Sequence, residues 1–496
     1  MFNKFITKIG IHNIRAIKMK SRFVGRDSEI KELSGFLRAK KSSLIVCRGR
    51  RRIGKSTLIQ HFGDKVNHFI EIQGLPPREN ITLKAQLESF SQQFSKQTDF
   101  PAFKLENWQQ AFSLLNKAIQ NTNTVVFLDE ISWMAQGDKD FAGKLKIAWD
   151  TELKHHNRLI LVLCGSVSSW LEENILNNTG FAGRVSLDLK LEELDLATCV
   201  QFWGKNHSSI STMEKLKLLS VTGGVPRYLE EIRPDLSAEQ NIFQMCFKRE
   251  GFLFSEFEHI FASIFSRRAV VYKKILSSLV RGTKTIDEIC QHIGIEKSGT
   301  MTRYLSDLSE AGFIQKDVSF NFMKYKPSKF SKYRLKDNYT RFYLRYIQER
   351  KSLIESSLLK DANLESFIEW NIISGLQFEN LVLNNLKKLV EILAINPGSI
   401  QFASPYFQLK TKTQESCQID LLVITKHSIY LCEMKFRKKV SKQVIPEVIE
   451  KSGKLRIPKH LSVRPVLIYS GDIDQVIETE DYFFRTIHME EFFRGG

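Results

Sequence analysis

Ser43-Leu-Ile-Val-Cys-Arg-Gly-Arg-Arg-Arg-Ile-Gly-Lys-Ser-Thr-Leu58 decides the fold. Leu44, Ile45 and Val46 read as a buried strand, Gly49 and Gly54 bracket a loop, and Leu58-Ile-Gln-His-Phe continues as a helix. A Gly-x-x-x-x-Gly-Lys-Ser loop in that setting turns its backbone N–H groups inward as a phosphate cradle. The positive end of the following helix faces the same anion. The expected nucleotide contacts are therefore Gly49, Arg50, Arg51, Arg52, Ile53, Gly54, Lys55, Ser56 and Thr57. Lys55 would reach the β and γ phosphates, and the Ser56 hydroxyl would hold Mg²⁺. A basic surface turn would require neither glycine nor the apolar strand that feeds the loop.

Working outward, Thr124-Val-Val-Phe-Leu-Asp-Glu is an apolar run ending in two acids. A buried parallel strand delivers such carboxylates at its C-terminal end, where open α/β sheets place their ligands. Asp129 would bind Mg²⁺ through water, and Glu130 would polarise the attacking water. Leu159-Ile-Leu-Val-Leu-Cys-Gly-Ser is a further buried strand ending at Ser166, and Ser168 has the position of a helix cap for Trp170-Leu-Glu-Glu. The fold class is α/β with ATP and Mg²⁺ as the expected ligands.

The chain has 496 residues, which as a soft prior means roughly three or four domains. A formal charge of +18 favours an acidic partner, DNA ahead of an anionic membrane. The 7 cysteines form no C-x-x-C pair, so no zinc site or disulfide framework is indicated and a reducing, cytoplasmic setting fits. No apolar run approaches the roughly 18 to 20 residues that span a bilayer. Residues 1–20 read as a basic N-terminal arm without the apolar core or cleavage site of a secretion signal.

Phe23-Val-Gly-Arg26, followed by a capped helix, resembles the box that opens many AAA-related ATPase domains and lies over the adenine. In relatives with a strand inserted between the cradle and the acidic strand, a polar residue at its end senses the γ-phosphate, and Ser166 matches. Thr222-Gly-Gly-Val-Pro-Arg-Tyr-Leu resembles the Gly-x-Pro lid element of signal-transducing and archaeal ATPases. That resemblance implies Pro226 against the base and Arg227 as a phosphate sensor. It also offers Arg184, in Ala-Gly-Arg-Val, as a transition-state arginine.

Downstream, Val270 to Val280, Thr285 to Ile293 and Ser298 to Glu310 read as helices, and a strand pair ending near Tyr333 follows: a winged helix. Lys297 and Arg303, with wing residues Lys324, Lys326, Lys329 and Lys332, suit phosphate contacts. In the tail, Gln418-Ile-Asp-Leu-Leu-Val-Ile-Thr and Ile429-Tyr-Leu-Cys-Glu-Met-Lys-Phe read as adjacent antiparallel strands. Period two puts Glu433 and Lys435 on one face, where Asp420 joins them. This constellation resembles the PD-(D/E)-x-K nuclease superfamily, with Ile419 in place of the usual proline. The resemblance implies Asp420 and Glu433 as Mg²⁺ ligands and Lys435 as the water-positioning group, with Glu379 as the helix-borne acid and Gln443 facing the site.

The order of motifs resembles an archaeal-type, AAA/STAND-like P-loop ATPase family that also occurs in bacteria. The expected organisation is an N-terminal arm (1–20), a three-layer P-loop core (21–190), a helical lid (191–255), a winged helix (256–336), a helical connector (337–368) and a restriction-endonuclease-like domain (369–496). The leading functional expectation is an ATP-hydrolysing switch coupled to a nucleic-acid-facing winged helix and nuclease-like tail, with metal-dependent cleavage of DNA left open. The alternatives are a signalling ATPase that binds protein partners or copies of itself, and an ATP-gated DNA-binding regulator without cleavage.

Overall fold

The computed structural model describes residues 23–76, 81–166, 168–265, 269–359, 363–412 and 414–495. The N-terminal arm and the Ser168 side chain, read as a helix cap, lie outside them.

The apolar runs form parallel strands β1 (Ser43–Gly49), β2 (His68–Gln73), β3 (Thr124–Asp129), β4 (Leu159–Gly165) and β5 (Val185–Leu191). Among the described residues they make a five-stranded sheet in the order β2-β3-β4-β1-β5. β3 and β4 are buried along their whole length, as continuous Val/Ile/Leu runs covered on both faces must be. Alternation along β1 sends Leu44 and Val46 to one apolar layer and Ile45 and Cys47 to the other, which gives the three-layer core. β4 lies between β1 and β3, so the cradle, the acids and Ser166 emerge at the same edge of the sheet.

The lid contains helices Thr212–Thr222, Pro226–Leu229, Ala238–Cys246 and Phe252–Phe265. Pro226 stands at the first turn of its helix, where its missing N–H has no intrahelical partner to lose. Helices Ala269–Ser278, Ile286–Ile293 and Gly299–Glu310 come next, and Thr285 with Glu288 closes a capping box on the second. The antiparallel hairpin of β6 (Ile314–Asn321) and β7 (Lys326–Leu335) follows.

That hairpin is not a free wing. Phe320 and Phe322 bury their rings with Tyr406 in the apolar cluster of the tail, and the Ser319 hydroxyl donates to the Phe407 carbonyl at 2.6 Å. Lys324, Lys326 and Lys329 remain exposed, whereas Lys332 lies over the Phe407 ring at 5.1 Å. Lys297 pairs with Asp287 at 2.9 Å and Arg303 with Glu173 at 3.6 Å, so these two expected phosphate contacts already have acidic neighbours.

The tail holds β8 (Ile400–Gln408), β9 (Cys417–Thr425), β10 (Ser428–Lys435), the short β11 (Lys439–Val440), β12 (Ser462–Tyr469), the short β13 (Asp472–Ile473) and β14 (Arg485–His488). Its main sheet has the order β14-β12-β10-β9-β8, antiparallel from β8 to β10 and parallel from β10 to β14. Helix Trp370–Asn384 joins the connector through reciprocal bonds: Asn338 Nδ2 donates to the Gln377 carbonyl at 3.2 Å, and Gln377 Nε2 to the Asn338 carbonyl at 3.1 Å. One apolar cluster runs continuously from Leu194 in the lid to Phe493 in the tail. No helix among the described residues is long and apolar enough to cross a membrane.

Candidate nucleotide site and a second ionisable cluster

The cradle needs its glycines. Gly49 has φ of 144°, and a Cβ there would sit 2.5 Å from the Leu191 carbonyl oxygen; Gly54 has φ of 87°. Arg52 (φ 71°) and Glu130 (φ 49°) are in the left-handed region without being glycine, a strain that the surrounding contacts must hold in place. At Glu130 this turn ends β3 and opens the short helix Ile131–Met134.

Lys55 is buried and donates to the carbonyls of Gly49 and Arg50, each at 3.0 Å. The Ser56 hydroxyl donates to Asp129 Oδ2 at 2.7 Å, and Asp129 Oδ1 accepts from the Glu130 N–H at 3.0 Å. A hydroxyl and a carboxylate meeting across the crevice are the hard oxygen donors that Mg²⁺ takes, so the two residues fit that ion. The Ser166 hydroxyl lies 3.0 and 2.9 Å from the two oxygens of Glu130. Burial raises the Glu130 pKa above the ordinary carboxylate range, and nearby Lys55 opposes the shift. Ser166, read as a γ-phosphate sensor, thus engages the carboxylate expected to handle the water.

Arg51 to Thr57 and Glu130 line a cleft of about 280 Å³ whose apolar side is Phe23, Val24, Phe202 and Pro226. Arg26 fastens the opening box to the cradle, donating to the Ile53 carbonyl at 3.2 Å and the Glu192 carbonyl at 2.7 Å. Pro226 is the nearest atom group to Gly54, 3.8 Å from the position of a Cβ there. Arg227 lines the cleft, pairs with Glu231 at 2.6 Å and stacks over Phe252 at 4.3 Å.

The arginines have acidic partners that the sequence did not name. Arg184 is held bidentately by Asp150 at 2.7 and 2.8 Å, and the pair keeps the Asp150 pKa down at about 2. It fastens strand β5 to helix Phe141–Thr151 and is not among the residues lining the cleft. Arg50 and Arg52 contribute backbone to the cradle, and the side chain of each is held by an acid from a distant segment. Arg50 binds Asp337 bidentately at 2.9 and 3.0 Å and Glu193 at 3.2 Å. Arg52 binds Glu256 at 2.6 and 3.0 Å. Arg48, just before the loop, binds Asp188, Glu172 and Glu310. Glu193, Asp337 and Glu256 were not singled out from sequence, since nothing local marks an acid whose partner lies in a distant segment.

A profile described as an ATPase domain predominantly from Archaea matches residues 23–232. The chain carries an archaeal-type ATPase domain. Over 377 residues it is 26% identical to an uncharacterized protein of Methanocaldococcus jannaschii, covering 74% of this chain and 79% of that one. Among solved structures it is similar to a Walker-type ATPase of Pyrococcus abyssi, at 18% identity and a TM-score of 0.48, covering 66% of this chain and 97% of that one. It is also similar to the ORC2 protein of Aeropyrum pernix in its ADPNP–ADP complexes, at 14% identity and a TM-score of 0.40, covering 68% and 97%.

Beyond the ATPase domain, the tail brings together the acids that the strand alternation put on one face. Lys435 Nζ lies 3.0 Å from Glu433 Oε1, and Met434 N–H donates to Asp420 Oδ2 at 2.8 Å. Burial, with Glu433 and Glu379 nearby, pushes the Asp420 pKa well up, and burial raises that of Glu379 too. Lys451, not anticipated from sequence, takes the second oxygen of Glu433 at 2.6 Å. Gln443 is the exposed residue preceding helix Val444–Gly453. With Glu433 shared between two ammonium groups, no three His, Cys, Asp or Glu side chains among the described residues are gathered to hold a metal ion. Asp420, Glu433 and Lys435 lie together as the strand alternation placed them, and no hydrolytic step is derived from that arrangement.

Proposed function

We propose that this ATPase is a nucleotide-driven switch whose cradle moves the lid, the helix–hairpin unit and the tail, with DNA as the tail's partner. The observation that carries this reading is the set of ion pairs flanking the loop. Arg48 reaches Glu310 at the end of the third helix of the helix–hairpin unit, Arg50 reaches Asp337 at the start of the connector, and Arg52 reaches Glu256 in the lid. Arg50 and Asp337 are 8% and 1% exposed, and a buried ion pair broken on one side leaves an uncompensated charge. Movement of the loop on nucleotide exchange cannot leave these partners indifferent.

In the proposed cycle Gly49 to Thr57 wrap the triphosphate, and Lys55 exchanges its two loop carbonyls for phosphate oxygens. The base packs between Val24 and Pro226. Ser56 and Asp129 would hold Mg²⁺, which neutralises charge on the β and γ phosphates when bound. Glu130 orients and polarises the attacking water, and its raised pKa brings it closer to accepting a proton at neutral pH. Ser166 fixes the direction of that carboxylate. DNA fits the formal charge of +18 and the exposed hairpin lysines 324, 326 and 329.

The test is hydrogen exchange of the intact chain with ADP and with a non-hydrolysable ATP analogue. Segments around 256, 310 and 337 should differ between the two nucleotides in the parent and be insensitive to both in Lys55→Ala. DNA affinity should fall steeply with salt and differ between the two nucleotide states. Identical exchange with both nucleotides would end the switch reading.

A further inference from the structure

Arginine chemistry at the terminal phosphate has no obvious owner once Arg184 is placed on Asp150. Each other cation lining the cleft is also accounted for. Arg26 donates to Glu29 and two carbonyls, Arg52 to Glu256, Arg227 to Glu230 and Glu231, and Lys55 to the loop itself. Arg51 differs. It lines the same cleft beside Lys55, Ser56 and Glu130, and its Nη1 is closed off from solvent with no hydrogen-bond partner among the described residues. No acidic side chain among the described residues pairs with it.

We propose that Arg51 is a catalytic arginine supplied in cis, which donates to the terminal phosphate of a nucleoside triphosphate held by its own cradle. A buried guanidinium N–H without an acceptor is costly, and the group it suits is an oxyanion taken by the planar fork. The neighbouring residues fix its aim. Arg50 and Arg52 are each held by bidentate ion pairs, so the backbone of residue 51 is pinned on both sides. Charge spreads onto the equatorial oxygens of the phosphoryl group as it transfers, and a fixed guanidinium in the cleft stabilises that state more than the bound substrate. The inference rests on the nucleotide reading of the cradle.

The experiment uses the full chain, with Arg51→Ala and Arg51→Lys compared with the parent in single-turnover ATP hydrolysis and in equilibrium binding of a fluorescent ADP. ADP lacks the phosphate in question, so its affinity should stay within ~3-fold in both variants, while hydrolysis in Arg51→Ala falls on the order of 10³-fold and Arg51→Lys recovers part of the loss. Retained ADP binding also shows that each variant is folded at the cradle. Hydrolysis within ~3-fold of the parent in Arg51→Ala would overturn the proposal, as would loss of ADP affinity as large as the loss of rate, which would make Arg51 a loop support. A parent that binds neither ADP nor ATP would instead overturn the nucleotide reading, and this inference with it.

Discussion

Replacing Arg50 by Met keeps most of the side-chain stem in its packed position and removes the charge. Asp337, 1% exposed, then keeps the Thr340 hydroxyl at 2.6 Å, and Glu193 keeps the Gly224 N–H at 3.0 Å. Two buried carboxylates are left without the cation between them. Burial already raises the Glu193 pKa against the pull of Arg50, so withdrawing the arginine removes its largest compensation. Breaking one side of a buried pair costs about 3 to 5 kcal/mol, and the cost should appear as easier opening of the connector, residues 338–347. The assay is native-state hydrogen exchange without nucleotide for the parent, Arg50→Met, Asp337→Leu and the double variant. The double variant should be less destabilised than the sum of the singles by about 1 to 3 kcal/mol, because it leaves no orphan at that contact. An opening free energy changed by less than about 0.5 kcal/mol in Arg50→Met, or additivity within about 0.5 kcal/mol, would refute the claim that this pair joins cradle to connector.

Glu130→Gln should bind ATP as the parent does and hydrolyse it on the order of 10² to 10⁴ times more slowly, measured in single turnover; an unchanged rate would remove Glu130 from the water-handling role. In the tail, burial raises the Asp420 pKa, so the folded chain holds that proton to higher pH than the unfolded chain does. Stability from this group is full below the unfolded value, near pH 4, and falls as pH rises through the folded value. Asp420→Asn should therefore stabilise the tail at pH 8, on the order of 1 kcal/mol, with little gain at pH 4; a variant less stable than the parent at pH 8 would contradict the burial argument.

The grouping of the cradle with Asp129, Glu130 and Ser166 was legible because its signals are local. The glycine spacing, the strand feeding it and the acids ending a second apolar run each follow from backbone geometry within a few residues, and β4 brings Ser166 to the same edge. The capped helices at Thr285 and Ser298 were legible for the same reason. The partner of the Arg50 side chain was not legible because it is 287 residues away, and a run of basic residues in a phosphate loop gives no sign of which side chains face out. The hairpin was read as a wing from its place after three helices. Its docking on the tail was not legible: Phe320 and Phe322, on a strand next to β8, gain more from burial there than from solvation. The tail acids were placed on one face by period two, but Lys451 belongs to a helix and shares no strand register with them.

The division of labour within Arg48 to Arg52 ties the proposed switch to a single atom exchange. Lys55 holds the Arg50 carbonyl, and the Arg50 side chain holds Asp337. Asp337 precedes Asn338, which is bonded in both directions to Gln377 of the tail helix. A triphosphate that takes the Lys55 ammonium for its own oxygens frees the Arg50 carbonyl, and the residue left to readjust is the one anchoring the connector. The same loop shift bears on Arg52 and Glu256 in the lid, and through Arg48 on Glu172 and Glu310. The Glu172 pKa is pushed up to about 7 by burial and by its neighbour Glu310. Much of the positive charge near the cradle is thus spent inside the molecule, on carboxylates that report the loop's position. Under the proposed function, the charge that meets DNA must come from elsewhere on the surface, including the exposed hairpin lysines.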